Sequence, residues 1–224
     1  VGKSSDSPRI LCSIHDCLNH NYRDNLCTIH LAEMEEAGED GSLNAMLAPW
    51  PKFVHKIVYK LSGSQQYYSL NEYCDILENN RFLYHDLAFG LPLHNNSIDF
   101  IYSSHFFEHL FKDDAANLLS DCLNALKPGG VIRISIPDLS YALSLYNQGK
   151  KDEMLDDYFF VEGKGSYLAR HKYMYDFELI KNVLEDVGFS GVTRCQYQQG
   201  RVPDIDFLDV YPDISLFVEA ISSN

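Results

Sequence analysis

Segments typical of β-strands alternate with segments typical of amphipathic helices from residue 55 to residue 220, and this alternation limits the possible folds more than any other feature. Runs of β-branched and aromatic residues predict strands at 56–61, at a segment ending in Tyr73-Cys74-Asp75, and at 81–85, 98–103, 131–136, 190–198 and 214–220. Apolar residues three and four apart predict helices at 106–126, from Pro137-Asp138 to Tyr146 and from Asp176 to Gly188. Such alternation builds a sheet covered on both faces. We therefore expect an α/β fold with a doubly wound, mostly parallel sheet of seven strands.

The charge balance narrows the class of partner. The chain has 224 residues, with 18 Lys and Arg against 32 Asp and Glu, and so a formal net charge of −14. So negative a field repels the phosphates of nucleic acids and of anionic lipids. The longest apolar runs reach about six residues, whereas a helix that spans a bilayer needs roughly 20. We expect a small-molecule partner, with no nucleic acid and no membrane; the sequence does not indicate an oligomeric state.

Cysteine and histidine cluster near the start of the chain. Cys12, Cys17, Cys27 and His30 have the ligand types and the spacing of a tetrahedral zinc site, and they resemble small CxxxxC…CxxH zinc-binding modules. Four protein ligands leave no open position, so the predicted zinc is structural. His15 or His20 could replace His30 as the fourth ligand, and free thiols or disulfides are the alternatives to a metal. Three clustered cysteines pair poorly, so we expect a reduced, cytoplasmic setting.

The composition changes near residue 40, which divides the chain. An acidic run at 33–40 precedes Pro49-Trp50-Pro51, a stiff connector because proline restricts its own backbone and that of its predecessor. We predict a zinc-binding module with an acidic helix at residues 1–45, followed by the α/β domain at residues 46–224.

Five short motifs in order, HDL, LP, EHL, LKPGG and PDL, carry a family resemblance, together with a later segment. FLYHDLAFGLPLHNNSIDFIYSSHFFEHL at 82–110, LKPGGVIRISIPDL at 126–139 and RHKYMYDFELIKNVLEDVGF at 170–189 resemble class I S-adenosylmethionine-dependent methyltransferases, over about residues 55–221. The resemblance implies a Rossmann-like methyltransferase fold, S-adenosylmethionine as cofactor, and methyl transfer to a small-molecule or saccharide-like acceptor. The loop at 61–65 has one glycine where the family has two or three. The alternative is therefore a degenerate methyltransferase fold that acts as a binding or scaffold protein through its zinc module.

The resemblance also implies a cofactor site at the carboxyl ends of the strands, where open parallel sheets bind ligands. The implied contacts are Gly63 and Ser64 in the first loop, Asp75 at the ribose, Asp86 at the adenine with Leu87 packed nearby, and Ser103 and Ser104 beside the methionine part. Each aspartate could instead be an ordinary turn residue.

His105, Glu108 and His109 form an H-x-x-E-H motif, which also occurs in inverted zinc-enzyme signatures. Those motifs lie on one long helix with a further ligand downstream, whereas this one crosses from a strand end into a helix start, so zinc is disfavoured here. His105 or His109 is instead the candidate general base, because imidazole titrates near neutrality; a structural role is the alternative. The segment 170–173 is the candidate acceptor contact, or else a solvated loop.

Overall fold

A computed structural model describes residues 10–12, 29–30, 50–61, 69–71, 73–74, 83–84, 90–91, 93–159 and 171–223. Its strands are β1 (Ile10–Cys12), β2 (Ile29–His30), β3 (Leu83–Tyr84), β4 (Ile98–Ser104), β5 (Leu126–Pro137), β6 (Phe189–Cys195) and β7 (Ser215–Ser222). Its α-helices are α1 (Lys52–Leu61), α2 (Lys112–Ala125), α3 (Leu139–Asn147), α4 (Lys151–Tyr158), α5 (Phe177–Val187) and α6 (Ile205–Leu208), with a 3-10 turn at Phe107–His109. Among the described helices, none is long and apolar enough to cross a lipid bilayer.

The strands form a mixed, Rossmann-like sheet. Five of them lie in the order β1-β4-β5-β7-β6, and β2 pairs with β3 in a separate two-stranded sheet. The β1–β4 and β4–β5 pairs are parallel, whereas β7 is antiparallel to both β5 and β6. Since β6 is antiparallel to β7 and β7 is antiparallel to β5, β6 runs in the same direction as β1, β4 and β5. Four of the five strands of this sheet therefore point one way, as expected, and β7 is reversed. The reversal is possible because β6 and β7 are joined without the long crossover helix that a parallel pair requires.

Two predicted strands are helical. The segment predicted as a strand at 56–61 belongs to α1, where His55 is buried and Val58 and Tyr59 are half-buried while Ile57 is exposed. Burial three to four residues apart is the helical period, and it outweighs the β-branched composition. Tyr73 and Cys74 are also helical, and the Tyr73 amide donates to the Ser69 carbonyl at 3.0 Å.

A segment predicted to lie in a separate module contributes to the sheet. Strand β1 pairs in parallel with β4, and Cys12 is the register partner of Ser103. Cys12 thus ends its strand at the same sheet edge as the end of β4. The boundary near residue 45 stays a prediction.

Other predicted elements are confirmed. Helix α3 begins after Asp138, whose carboxylate accepts from the Ser140 amide at 2.8 Å. Helix α5 begins after Asp176 and ends at Gly188, whose φ of +114° is the left-handed conformation that glycine favours. The helix predicted at 106–126 is interrupted: extended backbone at Leu110 and Phe111 separates the 3-10 turn from α2.

The two faces of the sheet are covered differently. Helices α2 and α5 pack their apolar residues on one face, against Ile101, Ile132 and Val218. On the other face the register aligns Tyr102, Arg133 and Glu219 on neighbouring strands β4, β5 and β7. The segment 196–209, which includes α6, covers this row through hydrogen bonds and a small apolar cluster.

Arg133 is fully buried in that row and uses every N–H group of its guanidinium. Its Nε and Nη2 bind the two oxygens of Asp209 at 2.9 and 2.6 Å, and Nη1 binds Oε1 of Glu219 at 3.0 Å. The carbonyls of Gln199 and Gln196 accept the remaining two bonds, at 3.1 and 3.2 Å. One cation thus ties the covering segment to β5 and β7.

The substitution Arg133→Met is expected to lower the free energy of unfolding by about 3–5 kcal/mol, because it leaves two buried carboxylates without their cation. The matched control is Arg194→Met, which breaks the 2.8 Å pair between half-exposed Arg194 and Asp138. That control should cost at most about 1 kcal/mol. Urea unfolding measures both, and equal losses would contradict the role given to Arg133.

Candidate functional site

The carboxyl end of β4 carries three consecutive polar residues. Ser103, Ser104 and His105 are all buried, and the edge they occupy lies between β1 and β5. The His105 amide donates to the Ser135 carbonyl of β5 at 2.8 Å, so the pairing of β4 with β5 continues to the residue that follows β4. In parallel sheets this edge is where ligands bind.

His105 is held in an unusual backbone conformation by contacts from several elements. Its φ is +48°, a region that costs residues other than glycine of order 1–3 kcal/mol. Its Nε2 lies 3.0 Å from the Ser215 hydroxyl at the start of β7, and its Nδ1 lies 3.4 Å from Glu108 Oε1. The Tyr211 ring packs edge-on against the imidazole, with centroids 5.1 Å apart.

Glu108 supplies a buried negative charge to this site. It lies in the 3-10 turn and is 1% exposed. Burial acts to raise its pKa, but the interaction with His105 and the charges of His109, His105 and His171 outweigh burial and hold the pKa of Glu108 at about 2. The carboxyl group is therefore ionised at neutral pH.

His109 and His171 complete a cluster with Glu108. Their rings lie 5.1 Å apart in an edge-to-face arrangement, and His109 Nε2 is 4.0 Å from Glu108 Oε1. One ligand atom from each of the three side chains falls within 4.8 Å of the other two, a spacing that a metal ion can bridge. The amides of Lys172 and Tyr173 donate to the Glu108 carbonyl at 2.7 and 3.1 Å and fasten this loop to the 3-10 turn.

The H-x-x-E-H motif predicted that His105, Glu108 and His109 lie together, but nothing in it indicated that His171 joins them. As part of the segment 170–173, His171 was predicted to contact the acceptor, and the structure places its ring against His109. The sequence shows only that a histidine precedes the helix predicted to start at Asp176. Its contact with His109 depends on the tertiary structure, which packs the loop at 171–173 against the 3-10 turn.

Ser103 points away from the polar cluster. Its side chain lines an apolar cavity of about 10 Å³ with Phe106, Phe107, Leu118 and others, beneath α2. A space of this size holds about one water molecule. Among the described residues, the Ser103 hydroxyl has no hydrogen-bond partner.

The remaining predicted site residues fall largely outside the described part of the chain. Gly63, Ser64, Asp75, Asp86 and Leu87 lie there, as do the predicted zinc ligands Cys17 and Cys27. Cys12 and His30 are described as strand residues of β1 and β2. The strand expected before the Gly63 loop is helix α1, and the residues before Asp75 are helical. The binding roles given to these residues stay predictions.

One part of the sequence matches the model of a known protein family. Residues 41–134 match the family described as a methyltransferase domain, and this stretch includes α1, β3, β4, α2 and the first part of β5. No curated protein matches the sequence. The matched stretch is less than half of the chain, and it contains the β4 edge and the H-x-x-E-H motif.

Solved structures similar to this chain include methyltransferases. One from Thermotoga maritima has 15% sequence identity and a TM-score of 0.44, covering 66% of this chain and 68% of its own. One from Archaeoglobus fulgidus has 20% identity and a TM-score of 0.42, with 66% and 70% coverage. One from Methanosarcina mazei has 15% identity and a TM-score of 0.42, with 64% and 67% coverage.

Because the backbone at His105 is strained, we expect glycine to be more stable than alanine at this position, the reverse of the usual order in a strand. His105→Gly should be more stable than His105→Ala by about 1 kcal/mol, because glycine adopts positive φ without a steric cost. At the neighbouring Ser104, in the regular strand, alanine should be the more stable replacement by a similar margin. Urea unfolding of the four variants tests this, and a preference for alanine at both positions would show that His105 is not strained.

Proposed function

We propose, from the methyltransferase domain match over residues 41–134, that this chain binds S-adenosylmethionine at the β1–β4 edge and transfers its methyl group to a hydroxyl of a small-molecule or saccharide-like acceptor. The family match is the observation that carries the proposal. The net charge of −14 supports a small acceptor over a nucleic acid.

The cofactor contacts proposed from the sequence are Gly63, Ser64, Asp75, Asp86 and Leu87, together with Ser103 and Ser104. When bound, S-adenosylmethionine supplies a methyl group on a sulfonium that already carries its leaving group. The protein then has to align the acceptor with the methyl group and exclude water. Burial of Ser104 and His105 at the strand end supports a water-poor site there.

Of the two candidate bases, His105 is better placed than His109. Its Nε2 contacts the hydroxyl of Ser215, a partner that an acceptor hydroxyl can replace, and its Nδ1 faces the ionised Glu108. A carboxylate behind an imidazole favours the protonated ring that forms when the base accepts a proton. With S-adenosylmethionine bound, the cofactor would supply the methyl group to the acceptor oxygen, and His105 Nε2 would accept the hydroxyl proton.

Calorimetric titration with S-adenosylmethionine and with S-adenosylhomocysteine tests the cofactor proposal. Binding of both in the micromolar range is expected. No heat at high micromolar ligand would overturn the proposal and favour the alternative of a degenerate fold that acts as a scaffold.

His105→Gln is expected to lower the methylation rate of a hydroxyl acceptor by about 10²–10⁴-fold and to leave cofactor binding intact. Formation of S-adenosylhomocysteine with a panel of sugars and phenols gives the rate. The rate of the native protein should rise with pH through the imidazole range, and that of the variant should not. His94→Gln, in an exposed turn, is the control. Equal pH profiles for His105→Gln and the native protein would exclude His105 as the base.

We also propose a structural zinc ion on Cys12, Cys17, Cys27 and His30, with His15 or His20 as alternative fourth ligands. Contact between β1, which ends at Cys12, and β2, which ends at His30, supports this set. Protein purified without added metal should contain about one zinc per chain at these ligands, and Cys27→Ser should lose it. Cys195→Ser, which replaces a free thiol of β6, should not. Unchanged zinc content in Cys27→Ser would contradict this site.

A further inference from the structure

We propose that Glu108, His109 and His171 bind a divalent d-block metal ion beside His105. The three side chains come from the 3-10 turn and from the loop before α5, and each offers one ligand atom within 4.8 Å of the others. Two imidazoles and one carboxylate form a donor set that suits zinc, iron, manganese or cobalt better than magnesium or calcium.

The burial of the Glu108 carboxylate is the first observation that points to a cation site. Both of its oxygens are buried, and neither has a hydrogen-bond partner among the described residues. Its Oε1 lies 3.4 Å from Nδ1 of His105 and 4.0 Å from Nε2 of His109, and both distances are longer than those of a good hydrogen bond. Buried carboxylates are normally paired, hydrogen-bonded or bound to a metal. A metal ion satisfies the charge and the lone pairs together.

The hydrogen bond made by His171 is the second, independent observation. Its Nδ1 lies 2.5 Å from the carbonyl oxygen of Tyr158, at the end of α4. A carbonyl can only accept, so Nδ1 carries the proton, and in the neutral ring the lone pair is then on Nε2. Histidines that bind metals show this arrangement, in which a backbone carbonyl fixes the tautomer and the orientation of the ring.

The proposed site differs from a structural zinc site in its coordination. Three protein ligands leave at least one position for an oxygen ligand from outside the chain. Under the methyl transfer proposed above, on which this last point rests, that ligand is an oxygen of the acceptor. Binding to the ion would lower the pKa of an acceptor hydroxyl and place it near His105. Metal binding itself is measured without cofactor or acceptor. The metal site can therefore be confirmed or excluded even if the chain does not transfer methyl groups.

The test is a cobalt titration of the full chain after removal of metal with a chelator. Visible absorption bands of Co²⁺ without thiolate charge transfer report a nitrogen and oxygen site, whereas thiolate bands report the cysteine cluster. We expect the nitrogen and oxygen bands in the native protein and in Cys27→Ser. His171→Asn should weaken this binding at least about 10-fold, and His94→Asn, the exposed control, should leave it unchanged.

Two results would overturn the metal site. One is native affinity at the nitrogen and oxygen bands in both His171→Asn and Glu108→Gln; the other is cobalt absorption that is entirely thiolate in character and disappears in Cys27→Ser. Circular dichroism verifies that each variant is folded. His171 is only half-buried, so we expect His171→Asn to fold even if Glu108→Gln does not. In that case the cobalt affinity of His171→Asn decides the test.

Discussion

A buried guanidinium determines how one face of the sheet is closed. All the N–H groups of Arg133 are used, by two carboxylates and two backbone carbonyls. Glu219 in turn accepts from the Arg201 amide at 2.8 Å, and the chain approaches so closely that a Cβ at Gly200 would lie 2.0 Å from the Glu219 carboxylate. A buried ion pair contributes little net stability when complete and costs much when broken. Its effect is to hold the segment 196–209 in one place on the sheet.

That anchoring leads directly to the candidate site. Asp209 is bound to Arg133, and two residues later Tyr211 packs on the His105 ring. Because β7 is antiparallel to β5, its first residue, Ser215, pairs with Pro137 at the edge where β4 and β5 end. The hydroxyl of Ser215 therefore reaches His105 Nε2. In a wholly parallel sheet, the start of this strand would lie at the opposite edge.

The second half of the site depends on the break between the 3-10 turn and α2. Extended backbone at Leu110 and Phe111 keeps Glu108 and His109 off the regular helix. The Glu108 carbonyl, which a continuing helix would use for itself, accepts instead from the amides of Lys172 and Tyr173. His171 is thereby brought against His109, and one carboxylate is placed among three imidazoles. Electrostatics of this kind lower the pKa of Glu108 although the residue is buried.

The sequence by itself determined the elements whose signals are local. Strands β4 and β5, the start of α3 near Asp138, the two ends of α5 at Asp176 and Gly188, and the ordered motifs from 82 to 139 were all readable, because apolar periodicity, capping and turn chemistry act over a few residues. The motif also placed His105, Glu108 and His109 together. For β1 and β2, of three and two residues, no periodicity could be read, since so short a strand shows no alternation. Strand β3 lies within the strand predicted at 81–85.

Only the tertiary structure decided the rest. Helix α1 has the composition of a strand, and burial of one of its faces makes it a helix. Three features join residues that are far apart in sequence: the pairing of β1 with β4, the antiparallel pairing of β7 with β5, and the contact between the His171 and His109 rings. Contacts of that kind depend on how the whole sheet is covered and closed, and no local pattern encodes them. The site combines both sources: a local motif supplies its acid and two of its imidazoles, and long-range packing supplies the third.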